Sequence, residues 1–144
     1  MTVPMFNPFR PRHPTFDIAA IGNHWVGHPL THDGIAGTLR VRLLPPDVAR
    51  ERFPLVALAW SDQPPAADAA ARTEAIQAAL ERDRSCLLVL VHETAGRTTW
   101  YAYSSSQERL DKSYGSLRDR ALHWGINDDP GWAEYDHARS LVGT

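Results

Sequence analysis

Cys86-Leu-Leu-Val-Leu-Val91, Thr94-Ala-Gly-Arg97 and Thr98-Thr-Trp-Tyr-Ala-Tyr-Ser104 follow one another in the second half of the chain. The first segment is an unbroken apolar run of strand length. The last is rich in β-branched and aromatic residues, and alanine-glycine between them is turn chemistry. Together they predict a central β-hairpin.

Upstream, Leu55 to Trp60 is a second short apolar run, bounded by Pro54 and by Ser61-Asp-Gln-Pro-Pro65, and reads as a strand. Ala66 to Asp83 is alanine-rich and free of glycine and proline, which predicts a helix. Its core stripe is Ala69, Thr73, Ile76 and Leu80, with Ala79 beside it. Downstream, Ser105-Ser-Gln-Glu108 fits a capping box ahead of a helix carrying Leu110, Tyr114, Leu117 and Ala121 on one face. Leu122, Trp124 and Ile126 then alternate as a strand. Asp129-Pro130 reads as a second helix start, with aspartate as N-cap and proline at the first helical position. In that last helix Trp132 and Tyr135 share a face.

From Pro54 to Ile126 the order is strand, helix, strand, strand, helix, strand. The expected class is therefore α+β: a ferredoxin-like βαββαβ antiparallel sheet of four strands with two helices on one face. An N-terminal β-hairpin, from Phe16 to Leu44 with its turn at His32-Asp33-Gly34, is an addition, as is the C-terminal helix. Leu39, Val41 and Leu43 share one face of that hairpin, and Arg40 and Arg42 point the other way. Residues 1–15 hold Pro4, Pro8, Pro11 and Pro14 and read as a proline-rich arm; residues 16–144 read as a single α+β domain.

The central strands are apolar on both faces. Leu87, Val89 and Val91 alternate with Cys86, Leu88 and Leu90. Leu55, Ala57 and Ala59 alternate with Val56, Leu58 and Trp60. A strand with one wet face does not read this way. Two helices cover one side, so the other needs the N-terminal hairpin, a second subunit making a homodimer, or a partner protein.

At 144 residues with net charge −2 the chain has no strong field to draw nucleic acid or an anionic membrane. No segment approaches the roughly 20 apolar residues that span a bilayer. The start lacks the apolar core of a signal peptide, so the expected location is cytoplasmic. Cys86, the single cysteine, lies in an apolar run and reads as a buried hydrophobe.

Catalytic and cofactor-binding residues are assigned to none of these positions. His24, His28 and His32 are four apart, but Gly27 and Pro29 break the helix that would bring them together, so no metal is assigned. Asp128, Asp129, Glu134 and Asp136 do not match a calcium loop, and helix capping accounts for Asp129. Ser104-Ser-Ser106 lacks a nucleophile elbow. Tyr101 and Tyr103 share a strand face with Trp100 opposite, an arrangement that can stack on single-stranded RNA, but the basic-glycine-aromatic signature is missing.

Arg97-Thr-Thr-Trp-Tyr-Ala-Tyr103 followed by Asp128-Asp-Pro-Gly-Trp-Ala-Glu-Tyr135 resembles a bacterial family catalogued as domain of unknown function six-nine-five. The resemblance runs from about Trp25 to Arg139. Gly131 departs from it, since larger polar residues are commoner there. It implies a ferredoxin-like domain and no catalytic residues. The family is similar, more distantly, to a protein inhibitor of ribonuclease E, which implies protein binding by analogy of fold.

The expected function is a non-catalytic protein-binding module, such as an enzyme regulator, an inhibitor or a toxin-immunity protein. Its partner-binding candidates are Trp60, Tyr101, Tyr103, Trp132 and Tyr135, because large aromatics anchor interfaces. Two alternatives stand beside it. One is a small metal-dependent or acid/base hydrolase using His24–Asp33 or Asp128–Asp136. The other is a single-stranded RNA binder.

Overall fold

The computed structural model describes residues 13–62 and 69–142, so residues 1–12 of the proline-rich arm and the first three residues of the expected Ala66–Asp83 helix lie outside the described residues. Six strands form one sheet: β1 (Trp25–His32), β2 (Ile35–Arg42), β3 (Leu55–Ser61), β4 (Cys86–Thr94), β5 (Arg97–Ser104) and β6 (His123–Asp128). The helices are α1 (Ile18–Ile21), α2 (Ala69–Glu81), α3 (Gln107–Gly115) and α4 (Ala133–Val142), with a single 3-10 turn at Arg50–Arg52. The strand order is β1-β2-β4-β5-β3-β6, and every neighbouring pair is antiparallel.

The four-stranded expectation is corrected by this sheet. The N-terminal hairpin pairs with β4 edge to edge, from Gly37↔Thr94 to Val41↔Leu90, so it widens the sheet rather than covering it. Close approach helps the join: a Cβ on Gly37 would sit 2.5 Å from the Glu93 carbonyl oxygen. The hairpin turn is the Asp33-Gly34 pair, both at positive φ, the conformation that matches the twist of two flanking strands.

Two cores sandwich the sheet. One joins α2 and α3 to it through Ile76, Leu80, Leu110 and Tyr114 over Ala57, Ala59, Leu88, Val91, Trp100 and Ala102. The other joins α4, Phe16, Ile21 and Phe53 to Leu39, Val41, Val56, Leu87, Val89, Leu90 and Tyr103. Over β1, β2 and β4 the second apolar face is thus covered by the chain's own C-terminal helix and N-terminal residues. Phe16 and Ile21 lie within the segment expected to supply that cover, and α4, which the expectation left out, supplies the rest. The reason is reach. Asp129 N–H donates to Pro54 O at 2.7 Å, which turns the chain at the end of β6 back over the face opposite α2 and α3.

Local readings shift by small steps. A β-bulge between Leu88 and Leu90 puts Leu87, Val89 and Leu90 in one core and Leu88 and Val91 in the other. Strict alternation misplaces Leu90 and Val91, because an extra residue reverses the phase of everything after it. The cap of α3 is Ser106, which accepts from Arg109 N–H at 3.1 Å, rather than Ser105. α3 ends at Gly115, so Leu117 and Ala121 fall outside it. α4 begins at Ala133, three residues after Pro130. Asp129 still receives its first amides, Ala133 N–H at 2.9 Å and Glu134 N–H at 3.1 Å.

Candidate functional site

The five aromatic candidates divide by burial. Tyr103, Trp132 and Tyr135 are at most 1% exposed and belong to the core beneath α4. Trp132 stacks on Tyr103 with centroids 3.9 Å apart, meets Tyr135 edge-on and donates its indole N–H to Phe53 O at 2.9 Å. Arg50 lies over Trp132 and Tyr135 and pairs with Asp136 at 2.7 Å. Trp60 and Tyr101 are half-buried.

Trp60 and Tyr101 share one surface. In register, Leu58 lies opposite Tyr101 on β5 and Gly125 on β6, while Trp60 lies opposite Thr99 and His123. Directly opposed residues of antiparallel strands point to the same side. Leu58, Trp60, Thr99, Tyr101, His123 and Gly125 therefore form a patch on the face that α4 partly covers. α4 packs on β1, β2 and β4, which leaves this β5-β3-β6 half without a helix of its own. Leu58, Trp60, Thr99, Tyr101 and Gly125 are half-buried and His123 is exposed. The Trp60 and His123 rings lie 5.8 Å apart. Beyond β6 the sheet ends among the described residues, so this patch borders an unpaired strand edge.

A second polar centre was not legible in the sequence. Arg42, read as an outward residue, is 1% exposed. Its guanidinium pairs with Glu81 at 2.7 Å and donates to Leu88 O at 2.9 Å and twice to Gly22 O. Glu81 also accepts from Leu88 N–H at 3.1 Å. The ion pair thus holds both backbone groups of Leu88, at the start of the bulge. With four of its donor bonds satisfied, the pair is a structural clamp between α2, β2, β4 and the loop at Gly22. Trp25 leans on the Arg42 guanidinium, and its indole N–H donates to Asn23 Oδ1.

Among the described side chains the histidine and carboxylate candidates do not converge. His24 precedes β1 and Asp33 follows it, so an eight-residue strand of about 26 Å separates them. Among the described residues no three His, Cys, Asp or Glu side chains gather as a metal site. Asp136 is engaged by Arg50, and Asp129 by the Tyr103 hydroxyl at 2.6 Å. Burial raises the Asp129 pKa, but the Tyr103 hydroxyl and the two α4 amides outweigh it and hold the carboxyl below its ordinary 3.8. A depressed carboxyl stabilises the fold above its unfolded pKa and loses that contribution as pH falls through the folded value. Stability is therefore expected to drop below about pH 4, and Asp129→Asn is expected to flatten that drop. Thermal unfolding of both proteins across acidic pH checks it.

Cys86 is fully buried, and burial chiefly raises its thiol pKa, against the lowering effect of Ser104, Ser85 and Ser113. It is expected to resist a thiol reagent in the folded protein and react only on unfolding. Rapid labelling under native conditions would contradict this.

Compared with family models, with curated proteins and with solved structures, the chain matches none. No residue role is carried over to the patch from another protein. No described helix is long and apolar enough to cross a membrane.

Proposed function

We propose that this chain is a non-catalytic protein-binding module whose docking surface is the Leu58–Trp60–Tyr101 patch and the β6 edge beside it. The observation that carries the reading is that two large aromatics stay half-buried on a sheet face whose other half is sealed by α4. Aromatics flush with a rigid sheet supply contact area at little entropic cost, and an unpaired strand supplies backbone hydrogen bonds to a partner. Enzyme regulation, inhibition and toxin immunity are all roles that such a surface serves.

Strands β4-β5-β3-β6 with α2 and α3 on one face are read as a ferredoxin-like unit, extended by β1 and β2 at one edge and capped by α4. Its support is the order of those four strands.

The test places a photo-crosslinking phenylalanine analogue at Trp60 in the native host. Glu108, exposed on α3, is the control position. A discrete protein adduct from Trp60, absent from Glu108 and lost with Tyr101→Ala, is the expected result. Illumination that yields no discrete adduct rejects the proposal.

A further inference from the structure

We propose that the partner taken up at β6 is a second copy of this chain, bound antiparallel, strand to strand, about a two-fold axis near Gly125. This rests on the protein-binding reading above and adds the identity of the partner.

The two edges of the sheet differ. β1 carries Pro29 in its middle, and proline lacks the backbone donor that a neighbouring strand requires. Gly27 weakens the same strand. β6 reads His123-Trp-Gly-Ile-Asn-Asp128, with no proline, no lysine and no bulge in its pairing with β3. Of the devices that blunt an exposed edge it has only modest length and one charged residue, Asp128, at its end.

The occupant follows from charge. The approach to β6 carries two exposed cations, Arg118 and Arg120, while Asp119 between them is held by Arg72. The end of β6 carries Asn127 and Asp128, also exposed. Arg118, Arg120 and Asp128 form no ion pair among the described residues. An antiparallel two-fold pairing sets the start of each strand against the end of the other. It therefore brings the basic flank of one copy to Asp128 of its partner, twice over. A parallel pairing would set like charges together.

Register supplies the rest. A two-fold axis perpendicular to the sheet keeps each residue on its own face. With Gly125 opposite Gly125, Trp124 meets Ile126 and His123 meets Asn127. Trp124 and Ile126 are half-buried on the α2–α3 side, and an aromatic–β-branched cross-strand pair is a favourable one. On the other side the absent Gly125 side chains leave the two Leu58–Trp60 patches continuous. The pairing extends one six-stranded sheet into a twelve-stranded one. Two short strands give an interface below about 1,200 Å², the size of weak complexes, so micromolar association is expected.

The test uses sedimentation velocity on the full chain from roughly 10 to 500 µM. The wild type is expected to pass from monomer to dimer. Arg120→Glu alone and Asp128→Arg alone each set like charges together and are expected to associate about tenfold more weakly. Mixed in equal amounts, the two variants face each other with opposite charges at both ends, and dimers are expected to return. Both positions are exposed, and circular dichroism confirms that the variants fold. A dimer untouched by either substitution, or variants that stay apart when mixed, overturns the pairing. A wild type monomeric throughout that range also overturns it. If Trp60 then crosslinks to a different protein, the binding reading stands without the second copy. If Trp60 crosslinks to nothing, both fall.

Discussion

Trp132→Ala is expected to lower the unfolding free energy by about 3–5 kcal/mol. Trp132 is completely buried, stacked on Tyr103, edge-on to Tyr135 and in contact with Phe16. Its indole is the donor to Phe53 O, so truncation also leaves a buried carbonyl unpaired. It sits where the chain turns from β6 into α4, at φ 57°. Loosening it frees the helix that seals one face of the sheet. Urea denaturation followed by far-ultraviolet circular dichroism measures the loss. Trp132→Phe keeps a ring but not the donor and is expected to fall between the wild type and alanine. Trp60→Ala, at a half-buried site, is expected to cost clearly less. If the two alanine variants are equally unstable, the division between core and surface aromatics is wrong.

Glu81→Leu is expected to cost about 3–5 kcal/mol, because it strands the Arg42 guanidinium in the interior without its counter-charge. It also removes the acceptor of Leu88 N–H at the bulge. Arg42→Met destabilises as well, by leaving Gly22 O and Leu88 O without their donors and Glu81 without its partner. The double variant removes both charges together. Its loss is expected to fall short of the sum of the single losses by about 2 kcal/mol, the coupling seen between residues of one buried network. Simple additivity in chemical denaturation would show that Arg42 and Glu81 act separately. The pair matters to the proposed surface only indirectly, since it fixes the edge of the sheet away from β6.

Much of the central fold was legible because its strands are short apolar runs between strong turn signals. Leu55 to Trp60, Cys86 to Val91 and Thr98 to Ser104 all lie within observed strands. Ile76, Ala79 and Leu80 are buried as the helical stripe requires. Phase errors arose where a single residue changes the count. The bulge moved Leu90 and Val91 to opposite faces, and the α3 cap moved by one position. Both depend on which backbone group finds a partner, and several neighbouring serines or leucines compete equally in the linear pattern.

The candidate site was legible only as a list of aromatics. Nothing local distinguishes Tyr101 from Tyr103, two residues apart on one strand face. The difference is where α4 and Trp132 lie. Tyr103 is under Trp132, and Tyr101 is beside the helix. Arg42 shows the same limit. Its alternation with Val41 put it on the correct side of the strand, but a charged residue there reads as solvated until Glu81, Gly22 and Leu88 are seen around it.

By itself, the order of apolar runs and helix formers determined an α+β chain with strands greasy on both faces, because periodicity and turn chemistry act over a few residues. Which element seals the second face, and which aromatics remain within reach of another molecule, was decided only by the tertiary structure. Those outcomes depend on the return of α4 across the sheet, a contact between segments far apart in the chain that no short window of residues encodes.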